Sequence, residues 1–443
     1  MAAWCEARHM KVAIVGAGWA GCAAAVHAVR LGHQVTLFEA TRIPGGRAKR
    51  IEIDYGGAKL ALDNGQHILI GAYRDTLKLM AELGINEADA LLRIPLAMQF
   101  PDGSGLTLAR LPAPIDAVLG IMCARGWSLG DKASLLIAAT GWQLRGFECS
   151  PQATVSALCA KITPAVMAML IEPLCVSALN TPADRASGQV FLRVMRDALF
   201  STSGGSNLLL PRVDLSALLP DAAVAWLATH GAQVRLGSRV QDIKKNTAGW
   251  QLSVTSDSGS GGQDSFNAVV LACPANVAIK LVQSSALPCQ AWLKAAGDLT
   301  YEAIATVYAF SPSGPLAAPM LALPSSSTPG HVYPAQFVFD RSQLGGPAGL
   351  LAFVVSASTG DSATLSGQVA AQAAQQLALQ HLEIVQTIVE KRATFACTPG
   401  LIRPSQTIAT GLLAAGDYID GPYPATLEGA VRSGLQAASL LNT

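Results

Sequence analysis

Three glycines near the beginning of the sequence have the spacing of a dinucleotide-binding turn. Gly16, Gly18 and Gly21 follow a short apolar run and open an alanine-rich stretch, and Glu39 comes about 20 residues later. The first glycine permits a tight turn, the second lets the backbone approach a pyrophosphate, and the third lets helix and strand pack closely. Free N–H groups at the helix N-terminus would bind the phosphates. Glu39 would bind the adenosine ribose and repel a 2′-phosphate, which disfavours NADP.

A second glycine pair lies just after Glu39. Gly45 and Gly46 free more backbone N–H groups, and Arg47 can pair with a phosphate through its planar guanidinium. A second phosphate contact so close to the acidic residue favours FAD over NAD. The alternative is a plain surface turn with a solvated arginine.

The C-terminal stretch has residues suited to the other end of such a cofactor. A strand predicted over 412–415 leads into Gly416 and Asp417, and a helix is predicted to begin at Pro424 or Ala425. Free N–H groups at Ala425 and the next two residues would stabilise the negative charge that an isoalloxazine ring develops on reduction. Asp417 would bind the ribityl chain or face the diphosphate, unless it only caps the turn.

Apolar periodicity places the first motif in a parallel βαβ unit. Buried strands are predicted over 12–15 and 34–38, with a helix over 19–31 between them. Helix-like segments broken by Pro and Gly dominate 75–203, which indicates an inserted, mainly helical region. Strand signals return from about residue 208.

Later stretches predict more sheet. Strands over 249–256 and 266–274 flank a Ser/Gly-rich tip at 257–265, which is predicted to be an exposed hairpin loop. The β-rich stretches that predict a second sheet are 304–310, 335–339 and 350–356. The long Pro/Ser-rich connection 311–330 indicates a mobile cover or disorder. An Ala/Gln-rich helix is expected over 369–385.

The composition excludes several classes of protein. Of the 443 residues, 51% are hydrophobic and 14% charged, and 31 basic residues nearly balance 30 acidic ones, so nucleic acid is not an expected partner. The nine cysteines form no C-x-x-C pair, which argues against a disulfide framework, and no metal site is expected. The apolar stretches 133–144 and 165–171 are shorter than the roughly 18 residues that span a bilayer. The N-terminal residues lack the apolar segment of a signal peptide, so export is not expected.

Several segments together resemble a known family. The segments GAGWAG, FEA, GGR, LDNGQH, LACP and AGDYIDGPYPATLEGAVRSG are similar to the FAD-dependent amine oxidase and phytoene desaturase superfamily over nearly the whole chain. Within it, LDNGQHILIGAY, SALNTP, QFVFDRS and TFACTPGLIRPSQT resemble the hydroxysqualene dehydroxylases of bacterial hopanoid pathways.

The resemblance implies an α/β protein with an α+β substrate part. A Rossmann-type FAD-binding domain, of the kind found in glutathione reductase, would be assembled from three stretches, with a sheet-plus-helix substrate domain inserted between them. The FAD-binding stretches would be 10–74, 206–280 and 394–443. The substrate domain would comprise 75–205 and 281–393.

The resemblance also assigns roles to single residues. Those that it places on the adenosine and diphosphate of FAD are Gly16, Gly18, Gly21, Glu39, Gly45, Gly46 and Arg47. Val240 matches a valine whose backbone meets adenine, and Gly65, Gln66 and His67 match a loop beside the flavin. Those at the ribityl and pyrimidine end are Gly416, Asp417, Thr426 and Leu427.

The implied reaction removes the hydroxyl group of an allylic triterpene alcohol, hydroxysqualene, with hydride from reduced FAD to give squalene and water. An allylic C–O bond ionises once its oxygen is protonated, so the site needs an acid and a dry pocket. His67 is the first candidate for donating or orienting the proton, because histidine titrates near neutral pH. Tyr423 is the second. The alternatives are that His67 only hydrogen-bonds backbone or cofactor, and that Tyr423 only packs in the wall.

A lipophilic isoprenoid substrate and an external electron donor are the expected partners. One dinucleotide fingerprint follows a strand, so electrons are expected from a separate reductase or a reduced carrier. A nearly insoluble substrate suggests peripheral contact of residues 111–147 with a bilayer, through apolar residues near Arg125, Lys132 and Arg145. The apolar residues are Ile115, Val118, Leu119, Ile121, Met122, Trp127, Leu135, Leu136, Ile137 and Trp142. The alternative is that they line the substrate tunnel or the core.

The expected location is therefore cytoplasmic, at the inner face of the cytoplasmic membrane.

Three other functions fit the same motifs. A carotenoid desaturase or an amine oxidase would oxidise its substrate, and a non-catalytic FAD-binding isoprenoid carrier is the alternative outside enzymes. The sequence has no G-x-S-x-G elbow, so a hydrolase has no support.

Overall fold

The protein is described by a computed structural model that covers residues 9–200, 204–257, 259, 261–328 and 331–442. Helices and strands are numbered in chain order. The first are β1 (Lys11–Val15), α1 (Trp19–Arg30), β2 (Gln34–Phe38), β3 (Arg50–Tyr55), β4 (Ala58–Asp63), β5 (Leu69–Ile70), α2 (Arg74–Glu82), α3 (Glu87–Ala90), β6 (Leu91–Ile94), β7 (Ala97–Gln99) and β8 (Gly105–Thr107).

A mainly helical block follows. It contains α4 (Ile115–Cys123), α5 (Leu129–Leu144), α6 (Val155–Leu158), α7 (Pro164–Val166), a π-helical turn (Met167–Ile171), α8 (Glu172–Leu179), α9 (Gly188–Met195) and a second π-helical turn (Arg196–Phe200). None of the described helices is long and apolar enough to cross a membrane.

The chain then returns to alternating strands and helices. These are β9 (Leu208–Pro211), α10 (Leu215–Leu218), α11 (Pro220–Thr229), β10 (Gln233–Arg235), β11 (Ser238–Asn246), β12 (Gly249–Ser256), β13 (Gly261–Phe266), β14 (Ala268–Leu271), α12 (Ala275–Ser284) and α13 (Gln290–Gly297). The last part holds β15 (Tyr301–Phe310), β16 (Met320–Ala322), β17 (Ser326–Thr328), β18 (His331–Tyr333), β19 (Phe337–Asp340), β20 (Leu350–Ser356), α14 (Ser362–Leu377), β21 (Glu383–Phe395), β22 (Thr407–Ala409), β23 (Leu412–Ala414) and α15 (Leu427–Ser439). Short 3₁₀ turns cover Arg341–Leu344 and Leu440–Asn442.

The first large sheet is mainly parallel, with strand order β10-β2-β1-β14-β23-β22. Its strands come from three separate stretches of the chain, and β22 alone of these pairs antiparallel. The alanine-rich α1 packs against α15 on this sheet. A Cβ at Gly434 of α15 would overlap the carbonyl oxygen of Ala20, so the glycine allows the two helices to approach closely. The predicted α/β fold and its first βαβ unit are confirmed, whereas the domain limits stay a prediction.

The second large sheet is antiparallel, with order β16-β19-β20-β15-β21. The predicted strands of this sheet are confirmed, since β15 and β20 cover two of them and β19 overlaps the third from Phe337 onwards. Buried residues such as Val307 and Phe353 face α14, which packs on one side of the sheet. The opposite side faces the cavity that is described below.

Three local predictions were wrong. The connection 311–330 is not uniformly irregular, because β16 pairs with β19 and adds an edge strand to the second sheet; residues 329 and 330 lie outside the described residues. The predicted helix 369–385 begins earlier and ends at Leu377, and Glu383–Phe395 is a long strand. The β-branched run at 384–389 favours a strand, and pairing with β15 fixes it.

The third error is the extent of the hairpin loop predicted over 257–265, of which residues 258 and 260 lie outside the described residues. β13 begins at Gly261 inside it and pairs antiparallel with β12, whereas β14 leaves the hairpin and joins the parallel sheet next to β1. The apolar stretch 266–274, which was predicted to be one strand, is therefore divided between two sheets, because Phe266 ends β13 and Ala268–Leu271 form β14. Residues 75–203 are mainly helical as predicted, although the described part also contributes three short strands, β6 to β8.

Candidate cofactor and substrate site

A cavity of about 610 Å³ runs between the two large sheets. One end lies at the carboxyl ends of the parallel strands, where Val15, Phe38 and Ala415 line it. This is the position at which ligands bind to open parallel sheets. The other end is walled by apolar residues of the antiparallel sheet: Ile304, Phe337, Phe339 and Val354. One cavity therefore joins a dinucleotide position to an apolar chamber.

The first glycine turn shapes the end of the cavity at the parallel sheet. Gly16 has a φ of 110°, and a Cβ there would lie 2.5 Å from the carbonyl oxygen of Ala272. Gly18 lines the cavity as the N-cap of α1, and no side chain caps that helix end. Its first N–H groups are therefore available to an anion. Gly21 does not line the cavity; it lies beneath the turn, against the carbonyl group of Gly16.

The two glycine motifs lie side by side. The N–H group of Gly45 donates to the carbonyl oxygen of Ala17 at 2.8 Å, and Gly18 and Gly45 form a parallel β-bridge. Gly46, with a φ of 61°, lines the same surface of the cavity. The structure thus brings together two loops that the sequence separates by more than twenty residues.

Glu39 lines the cavity at the end of β2. Its Oε2 accepts the N–H of Ala17 at 2.8 Å, and its Oε1 accepts the N–H of Thr41 at 2.9 Å. The carboxylate is thereby held at the edge of the glycine turn. Val240 lines the cavity nearby, next to a β-bulge between Val240 and Asp242 that interrupts the pairing of β11 with β12.

Arg47 and Asp417 form an ion pair across the cavity. The other Nη of Arg47 donates to the carbonyl oxygen of Ala393 at 2.7 Å, which ties the second glycine loop to β21. Arg47 is therefore not a solvated surface arginine. Asp417 faces Arg47, and its backbone carbonyl accepts the N–H of Ala425 at 3.2 Å.

The C-terminal helix begins later than predicted. α15 starts at Leu427, and the Thr426 hydroxyl caps it by accepting the N–H of Gly429 at 3.0 Å. Because Ala425 donates to Asp417, its N–H is not free, which corrects the prediction. The N–H groups of Thr426 and Leu427 have no partner among the described residues, and both residues line the cavity with Gly416.

The loop of Gly65, Gln66 and His67 also lines the cavity. Burial lowers the pKa of His67 to about 4, so its imidazole is neutral near pH 7. A neutral imidazole can position a hydrogen bond, but it is a poor acid. His67 as the proton donor therefore stays a prediction with little electrostatic support.

Tyr423 is absent from the described lining of the cavity. Its ring packs edge-on against Tyr73, with ring centres 6.1 Å apart, and lies under the guanidinium of Arg432. Burial raises its pKa to about 12. Tyr73 lines the cavity in its place, and Tyr423 packs behind it. This position is nearer to the predicted alternative, that Tyr423 only packs in the wall, than to a proton donor.

Sequence reasoning missed Glu390 and Tyr418, which both line the cavity. Glu390 lies on β21 opposite Ile304 of β15, and its Oε1 accepts the N–H of Arg392 at 3.1 Å. Tyr418 is buried beside Gly416, and burial raises the pKa of its hydroxyl well above the usual value. The predicted helix over 369–385 hid the strand that carries Glu390. Tyr418 directly follows Asp417 in the sequence, and this position was a signal that could have identified it.

Unpartnered polar atoms test whether the site fits FAD. The amide Nε2 and Oε1 of Gln66 and the hydroxyl of Tyr418 are buried and have no hydrogen-bond partner among the described residues. An unpaired buried polar group costs about 1–3 kcal/mol, so these atoms call for a polar ligand. Together with the uncapped N-terminus of α1, they suit the ring, ribityl and phosphate groups of FAD. Among the residues described, no cluster of three or more His, Cys, Asp or Glu could hold a metal.

Comparison with known proteins gives the same assignment. Residues 19–442 match the family of flavin-containing amine oxidoreductases. Hydroxysqualene dehydroxylases of Rhodopseudomonas palustris and Sinorhizobium fredii are 28% and 27% identical, and each alignment covers 97% of this chain and 98% of the relative. A solved oxidoreductase from Methanosarcina mazei shares the fold, with a TM-score of 0.71, 16% identity, and coverage of 97% of this chain and all of that one. The chain belongs to the flavin-containing amine oxidoreductase family and is an FAD-dependent oxidoreductase.

Proposed function

We propose that the protein removes the hydroxyl group of hydroxysqualene reductively and releases squalene and water, a step of bacterial squalene and hopanoid biosynthesis. The observation that carries this proposal is the apolar chamber that opens directly from the dinucleotide end of one cavity. Similarity to hydroxysqualene dehydroxylases along almost the whole chain supports it.

The cofactor would be held largely by backbone groups. The uncapped N-terminus of α1 and the loop at Gly45 and Gly46 would bind the diphosphate, and Glu39 would bind the ribose. Residues at the flavin end would be Gln66, Asp417, Tyr418, Thr426 and Leu427. The free N–H groups of Thr426 and Leu427 would face the pyrimidine part of the ring.

Bound reduced FAD supplies the hydride that replaces the hydroxyl group on the allylic carbon. The protein must protonate the leaving oxygen and exclude water from the carbocation. Ile304, Phe337, Phe339 and Val354 provide the apolar wall that excludes water.

Glu390 is the acid that we place at the leaving oxygen. Three acidic side chains line the described cavity: Glu39, Asp417 and Glu390. The two carboxylate oxygens of Glu39 accept backbone N–H groups, and Asp417 is paired with Arg47. The Oε2 of Glu390 has no hydrogen-bond partner among the described residues, and its strand forms the apolar wall with Ile304. The proton moves from the Glu390 carboxyl to the hydroxyl oxygen, the C–O bond breaks, and water leaves.

The Tyr418 hydroxyl would hold the substrate oxygen or the flavin by a hydrogen bond. Because its pKa is raised by burial, it stays protonated and acts as a donor. Electrons would come from a separate reductase or a reduced carrier, since the sequence carries a single dinucleotide fingerprint after a strand.

An anaerobic experiment tests the reaction. Purified protein with chemically reduced FAD is mixed with hydroxysqualene, and the flavin absorbance and the extracted products are followed together. The proposal expects the flavin to reoxidise as squalene accumulates in equal amount. Bleaching of oxidised flavin by the substrate, without squalene, would instead identify a desaturase or an amine oxidase. Rapid flavin reduction by NADPH alone would contradict the external donor.

A further inference from the structure

Exposed apolar side chains are concentrated on one part of the surface. Of the nine large hydrophobic residues that are exposed in the described chain, eight lie between residues 111 and 144. These eight, called the α4–α5 patch below, are Leu111, Ile115, Val118, Leu119, Met122, Leu129, Ile137 and Leu144. The ninth, Ile402, lies elsewhere in the sequence.

The spacing shows that the exposure follows the helix faces. On α4, Ile115, Val118, Leu119 and Met122 recur at the i, i+3, i+4, i+7 positions of one helical face. The opposite side of each helix packs on the protein, because Ile121 of α4 and Leu135 and Trp142 of α5 are buried in the core, and Asp116 of α4 is buried as well. The exposed apolar side chains are therefore not needed for packing on the core and suit an apolar environment outside the protein.

This pattern divides the predicted contact region. Ile121, Trp127, Leu135 and Trp142 belong to the core, and Leu136 packs partly buried against it. The predicted residues that remain for contact with a bilayer are Ile115, Val118, Leu119, Met122 and Ile137. Leu111, Leu129 and Leu144 extend the patch beyond the prediction.

Positive charges border the patch. Arg110, Arg125 and Arg145 are exposed, and none of them forms an ion pair within the described residues. Lys132 donates to the carbonyl oxygen of Met122 at 2.8 Å, which joins the beginning of α5 to the end of α4. Free cations around an apolar face match a surface with anionic headgroups above hydrocarbon.

The patch is connected to the cavity through the helical block. α5 packs against α7, and the N–H of Thr163 reaches the hydroxyl of Ser134 at 3.4 Å. α7 continues through the π-helical turn into α8, where Val176, Ser177 and Ala178 line the cavity. The same helices therefore lie at the patch and at the chamber.

We propose that the α4–α5 patch docks on an anionic lipid bilayer, with the apolar side chains in one leaflet and the arginines at its headgroups. Docking through this patch does not depend on the proposed reaction. Binding to vesicles is therefore measured without turnover.

The test uses the FAD-loaded protein and sedimentation with vesicles of phosphatidylcholine, with and without phosphatidylglycerol. The double variant Leu119→Glu and Ile137→Glu is expected to lower the vesicle partition coefficient at least about tenfold. The control Ile402→Glu is matched in side-chain type and exposure, since Ile402 is 77% exposed and Ile137 is 71% exposed. It is expected to bind vesicles like the natural protein.

A second pair of changes tests the charges. Arg125→Gln with Arg145→Gln should weaken binding to phosphatidylglycerol vesicles about fivefold per cation and leave binding to neutral vesicles unchanged. All three variants should retain turnover of detergent-solubilised substrate, which separates a docking defect from failure of the reaction.

Three results would overturn the proposal. The natural protein could stay entirely in the supernatant, or the double variant could sediment as well as the natural protein. Alternatively, light scattering could show a dimer that the double variant dissociates, in which case a second copy of the chain covers the patch.

Discussion

The two ends of the cavity are built in different ways. At the parallel sheet, backbone groups of glycine turns and of helix N-termini line the space, at Gly16, Gly18, Gly45 and Thr426. At the antiparallel sheet, side chains such as Phe337 and Glu390 line it, and strand pairing sets which of them face inward. The first end is specified by short local motifs, whereas the second depends on register between distant segments.

This difference predicts different responses to mutation. Changes at the glycine end should act on cofactor affinity, and changes at the sheet end should act on turnover with the cofactor still bound. A change at Asp63, which contacts Leu215 and, in the second sheet, Tyr308, should affect only the free energy of unfolding.

The largest effect is expected at the sheet end. Glu390→Gln keeps the shape of the side chain but removes the acid, so kcat should fall by about 10²–10⁴-fold while flavin content stays unchanged. Glu383→Gln on the same strand is the control, because Glu383 is exposed and absent from the described lining of the cavity. Steady-state kinetics with a chemical reductant measure both. If the two variants are equally active, Glu390 is not the acid.

Asp63, the last residue of β4, has a buried carboxyl group. Asp63 accepts the N–H of Leu215 at 2.8 Å, and its backbone carbonyl accepts the hydroxyl of Tyr308 from the second sheet at 3.0 Å. Burial raises the pKa of Asp63 from 3.8 to about 6. Between about pH 4 and pH 6 the unfolded chain loses this proton first, so stability falls as pH rises.

Replacing this carboxyl group should remove the pH dependence. Asp63→Asn should raise the free energy of unfolding at pH 7 by up to about 3 kcal/mol, the equivalent of two pKa units, and change it little at pH 4. Urea unfolding at both pH values measures this. A gain of the same size at both pH values would show that ionisation is not the cause.

At the glycine end, Gly18→Ala should weaken FAD binding at least about tenfold, or ~1.4 kcal/mol. The nearest atom to the added Cβ would be the Cα of Gly46 at 3.9 Å, so the fold can accommodate the methyl group. The methyl group would, however, obstruct the close approach of the diphosphate to the backbone. Titration of the apoprotein with FAD measures the affinity. Gly262→Ala is the control, since its Cβ would meet nothing within 4 Å in the hairpin. Equal affinities would remove Gly18 from the diphosphate site.

The smallest effect is expected at His67. Because its pKa is about 4, the imidazole is already neutral at pH 7, and His67→Asn should lower kcat by less than about tenfold. The pH profile of kcat in the natural protein should show no inflection near 6.5, the usual histidine pKa. A larger loss together with such an inflection would restore His67 as the acid.

The same contrast explains which predictions succeeded. The strands 12–15 and 34–38, the helix between them and the C-terminal strand were readable because each is a local pattern with its own turn residues. The helix predicted over 369–385 was wrong, since β21 exists through pairing with β15, more than seventy residues earlier in the chain. The position of Tyr423 could not be predicted from the sequence either, because its contact with Tyr73 joins residues 350 positions apart.

The sequence by itself determined the dinucleotide-binding turn, the acidic residue Glu39 at the end of the second strand, the family, and FAD as the cofactor. It could do so because glycine spacing and strand-helix order are local properties of the chain. Only the tertiary structure decided that Arg47 pairs with Asp417, that Glu390 and Tyr418 face the cavity, and which apolar residues of 111–147 are exposed. Those facts depend on packing between distant segments, and burial changes both the neighbours of a side chain and its pKa.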